Sequence, residues 1–363
     1  VTELDPRRHL LPEEDSARIF QERIVPRELA SGVSQQHPVV VFVAGQPGAG
    51  KTLTTEAVKE QLDRRGGSIV VNSDFYKPFH PKYDELLAED DRTAAPYTSM
   101  DGRRWMGAAE QYLMDNRVDT IVETTMRDPG DFIEPAAAFR AAGFRVEAAI
   151  MAVPEPLSRL GIVHRYHDQV ESAGYGRLTQ QSNHDASYAG VLDAAAVIDT
   201  DKIVDGVSVY RRGNELLYAN ELDRNGDWVA PPGAVQAIED ERNRPWTAEE
   251  SQAFTAVADR LREKMGPEWH DEFDDITRRA QPLMNREAAP TLDEVAEQIQ
   301  RANEAADTAL TETADGHHEA DGHHEAGAAS HHEADAAPEP VDPHRTDEPD
   351  PGPDVDPQPD RGL

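Results

Sequence analysis

Cysteine is absent from this chain, so disulfides and thiolate metal sites are excluded. Long apolar runs are missing too. No stretch is long enough to span a bilayer, and the first 30 residues are charged throughout, without the apolar segment of a secretory signal. Positive charge is scarce: 36 Lys and Arg face 70 Asp and Glu, a formal net charge of −34. A protein that tracks a nucleic-acid backbone needs clustered cations, and so does one that binds an anionic membrane surface, so both classes are disfavoured. A soluble, cytoplasmic protein with no nucleic-acid and no membrane partner is the expectation.

Large apolar residues run out towards the C-terminus. From Thr311 the sequence is mostly Ala, Gly, Pro, Asp, Glu and His, with 15 acidic and 2 basic residues. Near-repeats occur at Asp315–Ala320, Asp321–Ala326 and His331–Ala334, followed by closely spaced prolines from Pro338 to Pro359. Such a segment buries too little apolar surface to offset its ordering entropy, so residues 311–363 are expected to be a disordered acidic tail. Its histidine pairs suit zinc, nickel or copper, but a flexible segment without cysteine reads as a solvated spacer.

What is present is concentrated between residues 39 and 218. The β-branched run Val39–Ala44 feeds into Gly45-Gln46-Pro47-Gly48-Ala49-Gly50-Lys51-Thr52, which fits G-x-x-x-x-G-K-T. The glycines let backbone N–H groups wrap a polyphosphate, Lys51 reaches its β and γ phosphates, and Thr52 offers a hydroxyl to magnesium. A helix is expected from Leu53 with its N-terminus on the phosphates. ATP or GTP with Mg2+ is the ligand this loop implies.

Further apolar runs at Ser68–Asn72, Asp119–Glu123, Arg145–Ala152 and Ala195–Asp199 are separated by helix-sized intervals, the pattern of a parallel sheet with helices on both faces. Gly206–Arg211 and Glu215–Ala219 read as a hairpin. Helices are expected at Glu13–Ile24, Ala248–Met265 and Leu292–Ala309. The fold class is therefore α/β, a P-loop kinase-like parallel sheet flanked by helices. The organisation follows as a kinase domain over 1–225, a helical C-terminal extension over 226–310 and the tail over 311–363.

Residues just past the carboxyl ends of strands line the ligand crevice of such a sheet. Asp74, after the second run, is placed to accept the proton of a substrate hydroxyl during attack on the γ-phosphoryl group; on spacing alone it serves equally as a helix cap or magnesium-sphere carboxylate. Glu123 closes the third run, where it suits magnesium water or a sugar hydroxyl, although a lone acid there is often only solvated. Arg165 and Arg177 lie where a nucleoside kinase keeps its lid and can neutralise the transferring phosphoryl oxygens, while a surface salt bridge is the commoner fate of one arginine.

The P-loop, the Asp74 segment with His80-Pro81 and Tyr83-Asp84-Glu85-Leu86, Val122-Glu123-x-Thr125, Met151-Ala152-Val153-Pro154, Arg165-Tyr166 and Leu217-Tyr218 occur in that order. Together they resemble the zeta toxin family, the P-loop kinases of toxin-antitoxin modules, over roughly Glu22 to Tyr218. The resemblance implies phosphorylation of the 3′-hydroxyl of UDP-N-acetylglucosamine, with Asp74 as base and Lys51 and Thr52 on phosphates and metal. It also implies that Glu123 and Thr125 bind the UDP-sugar, that Arg165 and Arg177 clamp the γ-phosphate, and that a cognate antitoxin protein is a partner through the N-terminal region. Thr124 stands where a small glycine is expected, which bears on the sugar pocket. Two other readings fit a P-loop: a phosphotransferase of another small-molecule hydroxyl, such as an antibiotic or nucleotide, and a nucleotide-gated interaction protein.

Overall fold

All six residues of β1, Val39–Ala44, are buried, as a strand covered on both faces of a parallel sheet requires. The computed structural model describes residues 5–90 and 94–285. Before β1 come helix α1 (Glu13–Ile19) and a π-helical continuation, Phe20–Leu29, that carries Pro26. After it follow α2 (Lys51–Asp63), β2 (Ile69–Val71), α3 (Ser73–Tyr76), α4 (Tyr83–Glu89), α5 (Ala94–Asn116) and β3 (Thr120–Thr124). Next are α6 (Gly130–Ala141), β4 (Arg145–Ala152), α7 (Glu155–Ala173), α8 (Gln181–Asp201), β5 (Gly206–Arg211) and β6 (Glu215–Glu221). Helices α9 (Ala234–Asn243), α10 (Ala248–Lys264) and α11 (His270–Ala280) complete the described chain.

The sheet order is β2-β3-β1-β4-β5-β6. β1 pairs in parallel with β3 and β4, β2 in parallel with β3, β4 in parallel with β5, and among the described strands only the β5–β6 hairpin is antiparallel. The expected α/β sheet flanked by helices is therefore present, with one strand placed differently. Ala195–Asp199 lies inside α8, and the strand beside β4 is Gly206–Arg211. Val191, Ala194, Ala195 and Ile198 are buried at helical spacing, a stripe that a five-residue apolar window cannot separate from a strand. The expected helix at Leu292–Ala309 and the acidic tail lie outside the described residues. No helix among the described residues is long and apolar enough to cross a membrane.

The main core sits on the sheet face where Phe42 meets Phe132 and Phe139 edge-to-face, at centroid distances of 5.1 and 6.1 Å. A second apolar cluster joins α7 to α10 and α11 through Leu160, Tyr166, Phe254, Trp269 and Phe273. The C-terminal helices thus brace the helix that carries Arg165. Arg159 of α7, only 3% exposed, donates to Glu272 at 2.8 Å and to Asp275. Arg159→Ala removes this cation from among half-buried carboxylates. The expected loss is about 2 kcal/mol of unfolding free energy by urea titration, below the cost of a fully buried pair because the acids keep some water.

Candidate active site

The phosphate loop leaves β1 at Ala44 and turns through two left-handed glycines, Gly48 (φ +77°) and Gly50 (φ +87°). A Cβ on Gly48 would stand 1.9 Å from the Ser158 carbonyl oxygen, and one on Gly161 2.6 Å from the Gly48 oxygen. The start of α7 is therefore pressed onto the loop at two positions where only glycine fits. Buried Gln46 braces the loop from behind, donating Nε2 to Val153 O at 2.9 Å and to Ser158 Oγ at 3.2 Å. Ser158 Oγ lies 2.8 Å from His184 Nε2, so this polar chain links the loop to α8. On the outer side Arg212, in the β5–β6 turn, donates to Gly48 O and Leu157 O at 3.2 and 3.0 Å.

Helix α2 begins directly at Lys51 with no side-chain cap, so its first amides point unclaimed at the loop. Lys51 Nζ donates to Gly45 O at 2.7 Å and Gln46 O at 3.4 Å. Burial pushes this ammonium down to about 8; Glu123 and Asp74 pull it back up and Arg165 opposes them. A half-buried cation held mainly by neutral carbonyls favours an incoming anion. Affinity for ATP should accordingly be flat below about pH 8, where Lys51 is protonated, and weaken above it by up to about tenfold per pH unit. Titration calorimetry from pH 6 to pH 10 checks this; pH-independent affinity across pH 8 contradicts it.

Asp74 follows β2 in the first turn of α3. The cap of that helix is Asn72, whose Oδ1 accepts from Asp74 N at 2.8 Å. The Asp74 carboxylate is thereby free of the capping role and faces two cations, Lys77 Nζ at 2.6 Å from Oδ1 and Arg177 Nη1 at 3.2 Å from Oδ2. Burial pushes Asp74 up, but Lys77, Arg177 and Arg165 together outweigh it and hold the carboxyl down to about 2. It is ionised at any pH at which the protein works.

Glu123, at the end of β3, accepts from Thr55 Oγ1 of α2 at 2.5 Å and from Asn72 Nδ2 at 2.6 Å. It ties the phosphate-loop helix to the turn that carries Asp74. Thr125 is half-buried two residues beyond Glu123, and the next residue, buried Met126, has the left-handed φ of +50°. A positive φ on a large residue costs energy, and its place beside the crevice marks a turn imposed by the surroundings. Thr124 uses its hydroxyl to accept from Met126 N at 3.1 Å.

Arg165 of α7 donates to Thr179 at 3.0 Å, and its guanidinium is held below the usual arginine range by desolvation and by like-charged Arg177. Arg177 sits on the loop after α7, which breaks at Gly174 (φ +80°). Between α3 and this loop lies a cleft of about 510 Å³ lined by Asp74, Phe75, Tyr83, Tyr175 and Arg177. Phe75 and Tyr175 present exposed rings there, at 51% and 45% exposure. Glu123, Asp74 and Arg165 all act on the charge of Lys51, so the fold gathers the expected phosphate and acid residues at the carboxyl ends of β1, β2 and β3, with Arg165 of α7 beside them.

A family model described as zeta toxin matches residues 27–223, more than half of the chain. The chain belongs to the zeta toxin family. It is 26% identical to toxin zeta of Enterococcus hirae over 258 residues, covering 70% of this chain and 86% of that protein. It is 25% identical to toxin PezT of Streptococcus pneumoniae serotype 4 over 186 residues, 51% of this chain and 73% of that one. Among solved structures it shares its fold with a chain from the PezAT chromosomal toxin-antitoxin system of Streptococcus pneumoniae. There the TM-score is 0.59 and the identity 19%, covering 70% of this chain and 98% of that chain.

Four contributors to this zeta toxin site are given no role by the motifs. Asn72 and Thr55 hold Glu123, Lys77 holds Asp74, and Arg212 holds the loop. Lys77 has a weak signal, an opposite charge one helical turn after Asp74.

Proposed function

We propose that this zeta toxin family member is a nucleoside-triphosphate-dependent kinase that phosphorylates the 3′-hydroxyl of UDP-N-acetylglucosamine and acts as the toxin of a toxin-antitoxin pair. The observation that carries the kinase reading is one crevice holding an uncapped phosphate-loop helix with Lys51 on one side and the ionised Asp74 on the other. A pure nucleotide switch needs the first and not the second.

The chemistry runs as an in-line transfer. The loop amides and Lys51 hold the β and γ phosphates of ATP or GTP. The Thr52 hydroxyl, exposed in the first turn of α2, fits a magnesium ion, which when bound neutralises charge on those phosphates. Asp74 takes the proton of the acceptor hydroxyl as that oxygen bonds to the γ-phosphorus and the bond to the β-phosphate oxygen breaks. Arg165 and Arg177 offset the charge spread over the moving phosphoryl oxygens. The cleft beside Asp74 fits an acceptor with ring faces, since Phe75 and Tyr175 flank the carboxylate. Glu123 and Thr125 are the proposed contacts of the sugar.

Likeness to a PezAT toxin-antitoxin structure supports an antitoxin as partner. A reaction that consumes ATP and a nucleotide sugar belongs in the cytoplasm, where both pools lie. The test is incubation with magnesium-ATP and UDP-N-acetylglucosamine, followed by mass analysis for one added phosphate. Phosphorylation of another hydroxyl in a parallel panel of nucleotides and antibiotics, with none on the UDP-sugar, replaces the acceptor. ATP binding with no phosphorylated product sinks the kinase reading.

A further inference from the structure

No motif of the site gives Lys77 a role, yet it makes the shortest contact to Asp74. Its side chain is 10% exposed and its Nζ sits 2.6 Å from Oδ1. The burial has a local cause. A Cβ at Gly102 of α5 would stand 2.8 Å from Ser73 O and 3.2 Å from Lys77 Cγ, so the missing side chain lets α3 dock against α5 with the lysine stem in the seam. Asn72 fixes the backbone of Asp74 through its amide, and Lys77 fixes one carboxylate oxygen. The remaining oxygen, Oδ2, meets Arg177, which comes from the loop after α7 and is more exposed.

The two cations are therefore unequal. Lys77 is locked one turn along the chain at the C-cap of α3, whereas Arg177 stands on the loop after α7 with its side chain more exposed. We propose that Lys77 is a positioning residue for phosphoryl transfer: by retaining Oδ1 it leaves Oδ2 as the single oxygen offered to the acceptor hydroxyl when Arg177 moves to the nucleotide. The inference rests on Asp74 being the base. In the transfer the acceptor O–H bond breaks, its proton goes to Oδ2, the oxygen bonds to the γ-phosphorus, and the nucleoside diphosphate leaves with the electron pair. Asp74 is faced by Lys77 from the C-cap of α3, Arg177 from the loop, Arg165 from α7, Lys51 from α2 and Tyr83 from α4. These charges return the proton to solvent after each turnover, so an otherwise weak base is reset without delay.

The experiment compares Lys77→Met, Lys77→Arg and Asp74→Asn in the full chain with magnesium-ATP and UDP-N-acetylglucosamine. For Lys77→Met the expected result is a fall in kcat of about a hundredfold, the scale of a misplaced reacting group, with the KM for ATP within about threefold of wild type. The acid limb of its kcat profile moves to higher pH, because Asp74 loses the cation that keeps it ionised. Lys77→Arg restores much of the rate. A merely structural lysine lowers the melting temperature and leaves kcat per folded molecule and its pH profile unchanged, which overturns the inference. A second readout needs no acceptor: carbon-13 NMR titration of the Asp74 carboxyl in the nucleotide-free protein. There an upward displacement in Lys77→Met is expected, and an unmoved titration overturns the coupling. If Asp74→Asn turns over normally, the base reading itself falls. If Asp74→Asn is inactive while Lys77→Met behaves as wild type, only the role of Lys77 falls.

Discussion

Lys51→Met abolishes phosphoryl transfer to every acceptor and at the same time raises the melting temperature. The loss of rate is expected to reach about a thousandfold or more, because the ammonium is the one charge delivered by the loop to the β and γ oxygens. Nucleotide affinity falls with it. The gain in stability has a separate cause. Burial holds Lys51 down to about 8 in the folded protein, below its usual value, so the unfolded chain binds this proton more tightly than the native one. At neutral pH that difference opposes folding, and the opposition fades as pH rises from about 8 towards the unfolded value. The methionine variant has no such pH-dependent rise in stability. Opposite signs in activity and melting temperature, read from one preparation, identify a residue kept for function at a cost to the fold. A variant that loses both points to a structural lysine, and wild-type turnover removes the kinase reading altogether.

The legible parts of this protein are those in which one short segment carries its own physical reason. Val39–Ala44 must be a buried strand, and the glycines after it are demanded by left-handed turns and by the approach of α7. The positions of Asp74 and Glu123 are legible because strand ends face the crevice of an open sheet. Ala195–Asp199 is helical for a definite reason: alanine is the strongest helix former and is depleted in strands, and the neighbours at Val191 and Ala194 complete a helical stripe that the short run does not show. Gly206–Arg211 is legible as half of a hairpin, while its parallel pairing with β4 depends on a partner some 60 residues earlier in the chain. Long-range contact hides the rest of the site as well. Arg212 reaches the phosphate loop across 164 residues, and Lys77 owes its burial to Gly102 on another helix.

Asp74→Asn separates the base from every other role that this position could fill. The capping role belongs to Asn72, so the substitution leaves the start of α3 intact and the melting temperature within a few degrees. Asparagine retains an oxygen for Lys77, but its amide group now confronts Arg177 with hydrogens where Oδ2 accepted, so the arginine turns away. Arg177 is then released towards the phosphates, and nucleotide affinity is expected to hold or tighten. The amide cannot take up a proton, and turnover at saturating nucleotide falls by about a hundredfold to ten-thousandfold, the range for loss of a general base. A magnesium-sphere carboxylate predicts the opposite division: weaker magnesium-nucleotide binding and a modest loss of rate once the nucleotide saturates. Calorimetric affinity, melting temperature and saturated turnover measured on this one variant decide between the two. Near-normal turnover takes Asp74 out of the mechanism, and with it the reason for two cations to converge on one half-buried carboxylate.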